Sequence, residues 1–464
     1  MYINRSFEEK VLQNFYEGEV QVACVYGRQG MGKTTLIRHF LEGKKAIYFQ
    51  AFPTTDQEEL DLFAQSLGID SKPTLEELLN EITLDELMKD APMVLVIDHY
   101  PEFVKANSEF EKILYRYVTE VWNDLPIKII LCGDCYTHME KFVLGKKAIW
   151  KNMKMDILEV KGMKFTEAEA FFPERSREEK VYLYGITGGI PKKMTEVYGM
   201  DAEEATRDLY LDGQYAQMMW PMQTMQIELR ELSYYNRMLS CLARGYQRVN
   251  QISKEVDKPK DVVVPYMNTL MSIGMVTKET PITERTNRKK TRYSIVNTSD
   301  LFWYRYMPKN MNSVYQEDET EIENLLETML TESNDYLKIV FTNMCKQYLL
   351  DAGNDTLPFR LEEIGNWWMN DEETQTSMGF DIVGLGKSGD KDTTVYAMCY
   401  YDDKPIEIHE LKELIELTKQ LSQEGDVYYI IFSKAGFHEN AKTVALTIKN
   451  IMLISLEDIL PNED

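Results

Sequence analysis

The sequence predicts an α/β chain whose first part is a parallel sheet covered by helices on both faces. Two observations lead there. Four β-rich apolar runs, Val20 to Tyr26, Lys45 to Ala51, Met93 to Asp98 and Ile127 to Gly133, alternate with helical patterns in the first 160 residues, and Met155 to Val160 is a possible fifth. Continuous apolar strands separated by helices are what a doubly covered parallel sheet requires. The first run also ends directly in Gly27-Arg28-Gln29-Gly30-Met31-Gly32-Lys33-Thr34, which fits G-x-x-x-x-G-K-[ST], with a helix pattern opening at Lys33.

That run is the P-loop pattern in its proper setting, strand before and helix after. Its glycines let consecutive backbone N–H groups curl toward phosphate oxygens, and the helix N-terminus adds partial positive charge. Lys33 is expected to reach the β- and γ-phosphates of ATP, and Thr34 to place its hydroxyl on Mg²⁺. Val94-Leu95-Val96-Ile97-Asp98 is an apolar strand ending in Asp. It reads as a Walker B element in which Asp98 supports the same metal.

The chain has 464 residues, enough for roughly two to four domains, and is 44% hydrophobic. Its net charge of −24 excludes a generally basic, nucleic-acid-coating surface, so any DNA contact must be local. No apolar run approaches the roughly 20 residues needed to cross a bilayer, and the N-terminus has no apolar signal core. Its six cysteines mostly sit inside apolar runs, as reduced core thiols do, which suggests a cytoplasmic protein. Cys132-x-x-Cys135 lacks a second ligand pair at zinc spacing and reads as one core and one loop residue.

Residues 166 to 218 read as helices interrupted at Gly188-Gly189-Ile190-Pro191. Helix patterns near 229–243, 249–256 and 262–273, then Gly274 to Lys278 and Tyr293-Ser-Ile-Val, predict a winged helix-turn-helix. Its wing carries Arg285, Arg288, Lys289, Lys290 and Arg292, which could straddle phosphates. The recognition-helix candidate offers only Asn268 to a base edge, and its apolar residues, Val262, Val263, Val264, Met267, Leu270 and Met271, read as packing. Leu301 to Tyr306 reads as an aromatic core seam, and the acidic stretch from Gln316 as a helical connector. A small α/β domain follows from about Tyr336, with Trp367-Trp368 packing against its sheet.

With these motifs in order, the chain resembles the archaeal-type ATPase family in the AAA+/STAND branch of P-loop NTPases. The markers are Asn4-Arg5, Gly27 to Thr35, Tyr48-Phe49, Val96-Ile97-Asp98, Leu131-Cys132-Gly133, Gly188 to Pro191, Ser272 to Val276, Leu301 to Tyr306 and Asp381-Ile382-Val383. The resemblance implies a P-loop ATPase core (1–163), a helical lid (164–224), a winged helix (225–310), an acidic linker (311–335) and a restriction-endonuclease-like domain (336–464). It also implies that Asn4 and Arg5 approach the adenine, that Gly27 to Thr35 hold the phosphates, and that the turn at Pro191 closes the lid over the nucleotide.

Several positions depart from the family pattern. His99 stands where the resemblance implies a Glu that polarises water, Asp134 where it implies a small hydroxyl sensor, and Gly145-Lys146 where it implies Gly-Arg. A positioned base is worth about 10² to 10⁴ in rate. ATP binding with slow or absent hydrolysis is therefore expected, with His99, Asp134 and Lys146 as the residues bearing on it. Of the implied nuclease set only Asp381 remains, since Thr342, Met398 and Tyr400 occupy the other positions, so no nuclease activity is expected. The resulting reading is an ATP-dependent switch. The alternatives are a DNA-binding regulator with a vestigial ATP site, and a scaffold whose C-terminal domain docks a protein partner.

Overall fold

The computed structural model describes residues 5–69, 73–86, 92–211, 219–351, 357–370, 377–419, 421 and 425–461. Strands β1 (Val22–Tyr26), β3 (Met93–Asp98) and β4 (Ile127–Gly133) are buried at every position, as strands covered on both faces must be. The edge strands β2 (Ala46–Gln50) and β5 (Met155–Glu159) are partly exposed. The order is β2-β3-β4-β1-β5, with every pairing parallel. This is the expected P-loop NTPase sheet. The carboxyl ends of β1, β4 and β3 lie side by side, the position where open α/β sheets bind ligands. The helix expected over Phe110 to Asn123 is instead an α-helical piece, Phe110–Arg116, followed by a π-helical turn, Tyr117–Val121.

Helix α1 (Ser6–Glu17) and helix α2 (Lys33–Phe40) flank this sheet. Beyond it, α3 (Arg177–Thr187) ends on Gly188 and Gly189, both left-handed (φ 64° and 66°), and α4 begins at Pro191 (Pro191–Glu196). A Cβ on Gly188 would lie 2.2 Å from Asn297 Oδ1, so the turn needs glycine for space as well as for conformation.

Helices α5 (Ser233–Ala243), α6 (Val249–Val256) and α7 (Lys260–Ser272) precede an antiparallel hairpin of β6 (Val276–Glu279) and β7 (Arg292–Ile295). In α7, Val263, Met267 and Leu270 are buried, but Val262 and Val264 are 36% exposed, so only part of the apolar set packs. The wing between β6 and β7 folds back onto the chain. Ile282 is buried against the C-terminal sheet, its N–H donates to Asn366 O at 3.0 Å, and Arg285 pairs with Glu363. Lys290 is taken up by Glu284 at 2.5 Å, and Arg292 lies over the Trp368 ring, 4.4 Å from its centroid. Three of the basic wing residues are thus engaged within the chain; the Arg288 side chain lies outside the described residues.

Helix α8 (Thr298–Tyr315) buries Leu301, Phe302, Trp303, Tyr304 and Tyr306 and leaves Arg305 half-buried, as the aromatic seam required. The acidic stretch read as a connector is a packed helix, α9 (Glu319–Thr331), because Ile322, Leu325, Leu326 and Met329 recur at helical spacing and are buried. After α10 (Asn334–Asp351) comes a mixed sheet, β12-β11-β10-β9-β8. Its strands are β8 (Arg360–Asn370), β9 (Ser377–Ser388), β10 (Lys391–Tyr400), β11 (Asp426–Ser433) and β12 (Ile451–Ser455). Trp367 and Trp368 belong to edge strand β8 itself. One buried apolar cluster runs from Met163 through α3, α5 to α10 and one face of this sheet to Leu460.

Candidate nucleotide site

The P-loop runs from the end of β1 into α2. Gly30 and Gly32 adopt φ 81° and 83°, which a side chain would strain. A Cβ on Gly27 would sit 2.2 Å from Val160 O. Lys33 is 5% exposed, and its ammonium donates to Gly27 O at 2.8 Å and Arg28 O at 3.0 Å and pairs with Asp134. A carboxylate thus already occupies the anion position in front of Lys33, which answers the repulsion that Asp134 would otherwise impose on a phosphate. His99 Nε2 lies 3.9 Å from Asp134 Oδ2, and His99 itself is left-handed (φ 54°) at the start of the helix after β3.

Asp98 is 1% exposed. It accepts from Thr34 Oγ1 at 2.8 Å, Tyr48 OH at 2.5 Å and the His99 N–H at 2.9 Å. Burial pushes the Asp98 carboxyl up, but hydrogen bonds from Tyr48, Cys132 and Thr34 outweigh it and hold it below the usual range. The hydroxyl and carboxylate expected at the metal are therefore in contact, and the carboxylate is ionised. A hard cation takes oxygen ligands of this kind, so Thr34 and Asp98 fit Mg²⁺.

A cavity of about 500 Å³ opens between the P-loop and α4. Arg5, Gln29, Gly30, Gly32, Lys33, Thr34 and Thr35 line one side, His99 and Asp134 the floor, and Pro191 the other side. Arg5 is 3% exposed and donates to Met31 O and Lys161 O, both at 3.0 Å, so it braces the loop as well as facing the cavity. Met31 is buried beneath the loop. Two expected residues stand elsewhere. Lys146 is exposed and outside the cavity lining, because the chain after β4 carries it to the surface. Arg28 turns away from the cavity, drawn by a buried carboxylate. Asn4 lies outside the described residues.

That carboxylate belongs to Asp300. Arg28 Nη1 meets Asp300 Oδ2 at 2.6 Å, with the side chains 7% and 0% exposed. Burial works against the guanidinium charge, and Asp300 overcomes it, leaving the Arg28 pKa raised. Among the described residues, Arg28 Nε and Nη2 and Asp300 Oδ1 find no hydrogen-bond partner. One residue earlier, Ser299 Oγ accepts from Lys193 Nζ of α4 at 2.6 Å. One turn of α8 therefore holds both walls of the cavity. Sequence reasoning missed Asp300 and Lys193; the only signal was that Asp300 directly precedes the aromatic seam.

Residues 2–197 match a family model described as an ATPase domain predominantly from Archaea. This segment belongs to the archaeal-type ATPase family. The ATPase domain thus ends just after α4, at the far wall of the cavity. Residues 303–409 match a second model, described as Archaea bacterial proteins of unknown function. The uncharacterized protein MJECL04 of Methanocaldococcus jannaschii is 26% identical over 444 residues, covering 94% of this chain and 96% of the relative. Among solved structures, the Walker-type ATPase paby2304 of Pyrococcus abyssi is 17% identical, covering 66% of this chain and 96% of its own, with a TM-score of 0.47. The ORC2 protein of Aeropyrum pernix is 14% identical, covering 71% and 96%, with a TM-score of 0.45.

Proposed function

We propose that the chain is an ATP-binding switch of the cytoplasm that hydrolyses slowly and reports nucleotide occupancy through α8. The observation that carries this reading is the double attachment of α8: Asp300 to Arg28 in the P-loop, and Ser299 to Lys193 in the lid. Any movement of the loop or lid on nucleotide binding must strain or release those contacts. The helix that receives them leads from the wing hairpin into the C-terminal half.

In this reading Lys33 exchanges Asp134 for phosphate oxygens, and the N–H groups of Gly30 to Thr35 hold the remaining phosphate charge. Thr34 and Asp98 hold Mg²⁺, which neutralises charge on the phosphates when bound. Arg5 and Gln29 border the nucleoside end, and Pro191 closes the far side. Slow hydrolysis follows from His99 in place of a carboxylate base and from Asp134, whose charge is already committed to Lys33. Loss of a positioned base raises the barrier by about 3–5 kcal/mol.

The test is titration with a fluorescent ATP analogue in Mg²⁺, beside Lys33→Ala, while phosphate release is followed. Micromolar or tighter binding that the variant loses, with release far below one per second, is expected. Turnover of the order of one per second that Lys33→Ala abolishes refutes the slow switch, and absence of binding refutes the site.

A further inference from the structure

The chain has a second and larger cleft, about 1120 Å³, far along the sequence from the P-loop. It lies between the wing hairpin, the end of α5, one face of α10 and the C-terminal sheet. Its walls bring together Arg244, Arg292, Arg305, Lys338 and Lys346, against Glu279, Asp335 and Asp381. Five cations facing three carboxylates make a local positive surface on a chain of net charge −24.

Those cations are only loosely committed. Lys338 stands 3.6 Å from Asp381, Arg305 4.0 Å from Asp335 and Arg244 3.5 Å from Glu255. Lys346 has no ion-pair partner among the described residues. Lys338, Thr342 and Lys346 lie at i, i+4 and i+8 and share one face of α10. The two ammonium-bearing positions are therefore about 12 Å apart along the helix, too far for one phosphate group to span. Burial, followed by the charge of Arg248, pushes Arg292 down to about 10, as expected where positive charge is crowded and poorly compensated.

The cleft also holds unsatisfied polar atoms. Trp368 is 3% exposed, and its indole N–H finds no partner among the described residues; nor does Asn366 Oδ1. Arg292 covers the Trp368 ring. A ligand oxygen that draws Arg292 aside uncovers both an aromatic face and an unused donor. Cations at successive intervals beside an aromatic ring are what a strand of phosphodiesters with unpaired bases selects.

We propose that this cleft binds a short single-stranded nucleic acid. Arg305, Lys338 and Lys346 take its phosphates, while Trp368 and Arg292 take a base. Asp381 does not oppose this, because its charge is shared with Lys338 and with the Cys399 N–H at 2.9 Å. The strand is held without being cut, since Met398 and Tyr400 supply no metal-binding carboxylate or water-orienting lysine there.

The experiment uses the full chain and fluorescein-labelled dT12 and rU12, with anisotropy read from about 50 to 200 mM salt. Binding is expected for at least one strand. In Arg305→Ala/Lys346→Ala it should weaken tenfold or more, and the slope of log K against log salt should flatten by about 1.4, or 0.7 per lost phosphate contact. Lys346→Arg should retain binding, and the double variant should melt as the wild type does, which separates lost contacts from misfolding. Lys33→Ala should bind the strand normally, so failure of the P-loop reading and failure of this one are distinguishable. The proposal is overturned if neither strand binds, if only duplex binds, if inorganic polyphosphate competes as well per phosphate as the strand, or if Lys289→Ala alone produces the whole loss.

Discussion

The contact between Arg28 and Asp300 permits a quantitative test. Asp300→Asn removes the charge at nearly constant volume and leaves the guanidinium buried beside a neutral amide. The two side chains are 7% and 0% exposed, so water cannot replace the lost partner. Two unit charges about 4 Å apart attract by ~4 kcal/mol at an effective dielectric constant near 20. Breaking one side of a buried pair costs about 3–5 kcal/mol, in agreement. At 1.4 kcal/mol per factor of ten, hydrogen exchange in the first turns of α8 should accelerate by about 10³. Because three polar atoms of the pair are already unsatisfied, Arg28→Met/Asp300→Leu should recover most of the loss, and ATP affinity in that double variant should differ by about 5- to 150-fold if the pair couples the site to α8. Hydrogen exchange by mass spectrometry on all three variants provides the assay. Acceleration below tenfold in Asp300→Asn, or a double variant as unstable as the single one, would refute the argument.

Other outcomes follow from the same contacts. Gly27→Ala forces a Cβ toward Val160 O and should cost about 1–3 kcal/mol and weaken ATP binding, read by thermal melting and titration. Burial, then Lys105, pushes His138 down to about 4; the unfolded imidazole titrates near 6.5, so between pH 6.5 and 4 the unfolded chain binds more protons and stability falls. His138→Phe should melt with a smaller acid dependence than the wild type. Lys193 is pushed down to about 8 by burial; between pH 8 and 10 the unfolded lysine holds the extra proton, so wild-type stability should gain as pH rises, by about 3 kcal/mol at most, while Lys193→Met should not share that gain. Ile282→Ala removes the apolar anchor of the wing and should cost about 2–5 kcal/mol, with faster exchange in β8 as the local sign.

The P-loop sheet was legible in the sequence because its central strands are buried on both faces and so contain almost nothing polar. Met93–Asp98 and Ile127–Gly133 needed no correction. Strand β8 was missed for a complementary reason. Its sequence, Arg360 to Asn370, contains two register shifts, one between Leu361 and Glu363 and one between Gly365 and Trp367. Each resets the alternation on which a two-residue period depends. The phosphate-facing residues of the site were readable from local order, since one loop carries them. Asp300 was not, because 272 residues separate it from Arg28 and nothing in a linear pattern marks a buried ion pair at that distance. Lys146 shows the reverse error: a position inferred from spacing after β4, which the fold sends to the surface.

The single apolar cluster from Met163 to Leu460 sets a problem of timing during synthesis. Arg177, at the start of α3, donates through Nε to Leu460 O at 2.9 Å, across 283 residues. A ribosome adding about 5–20 residues per second needs on the order of 15–60 s to cover that stretch. For that interval the lid helix has emerged and its last partner does not yet exist. The apolar face of α3 must meanwhile be sheltered by a chaperone or by a temporary association within the nascent chain. Cutting the gene short by even its last dozen codons would make that exposure permanent.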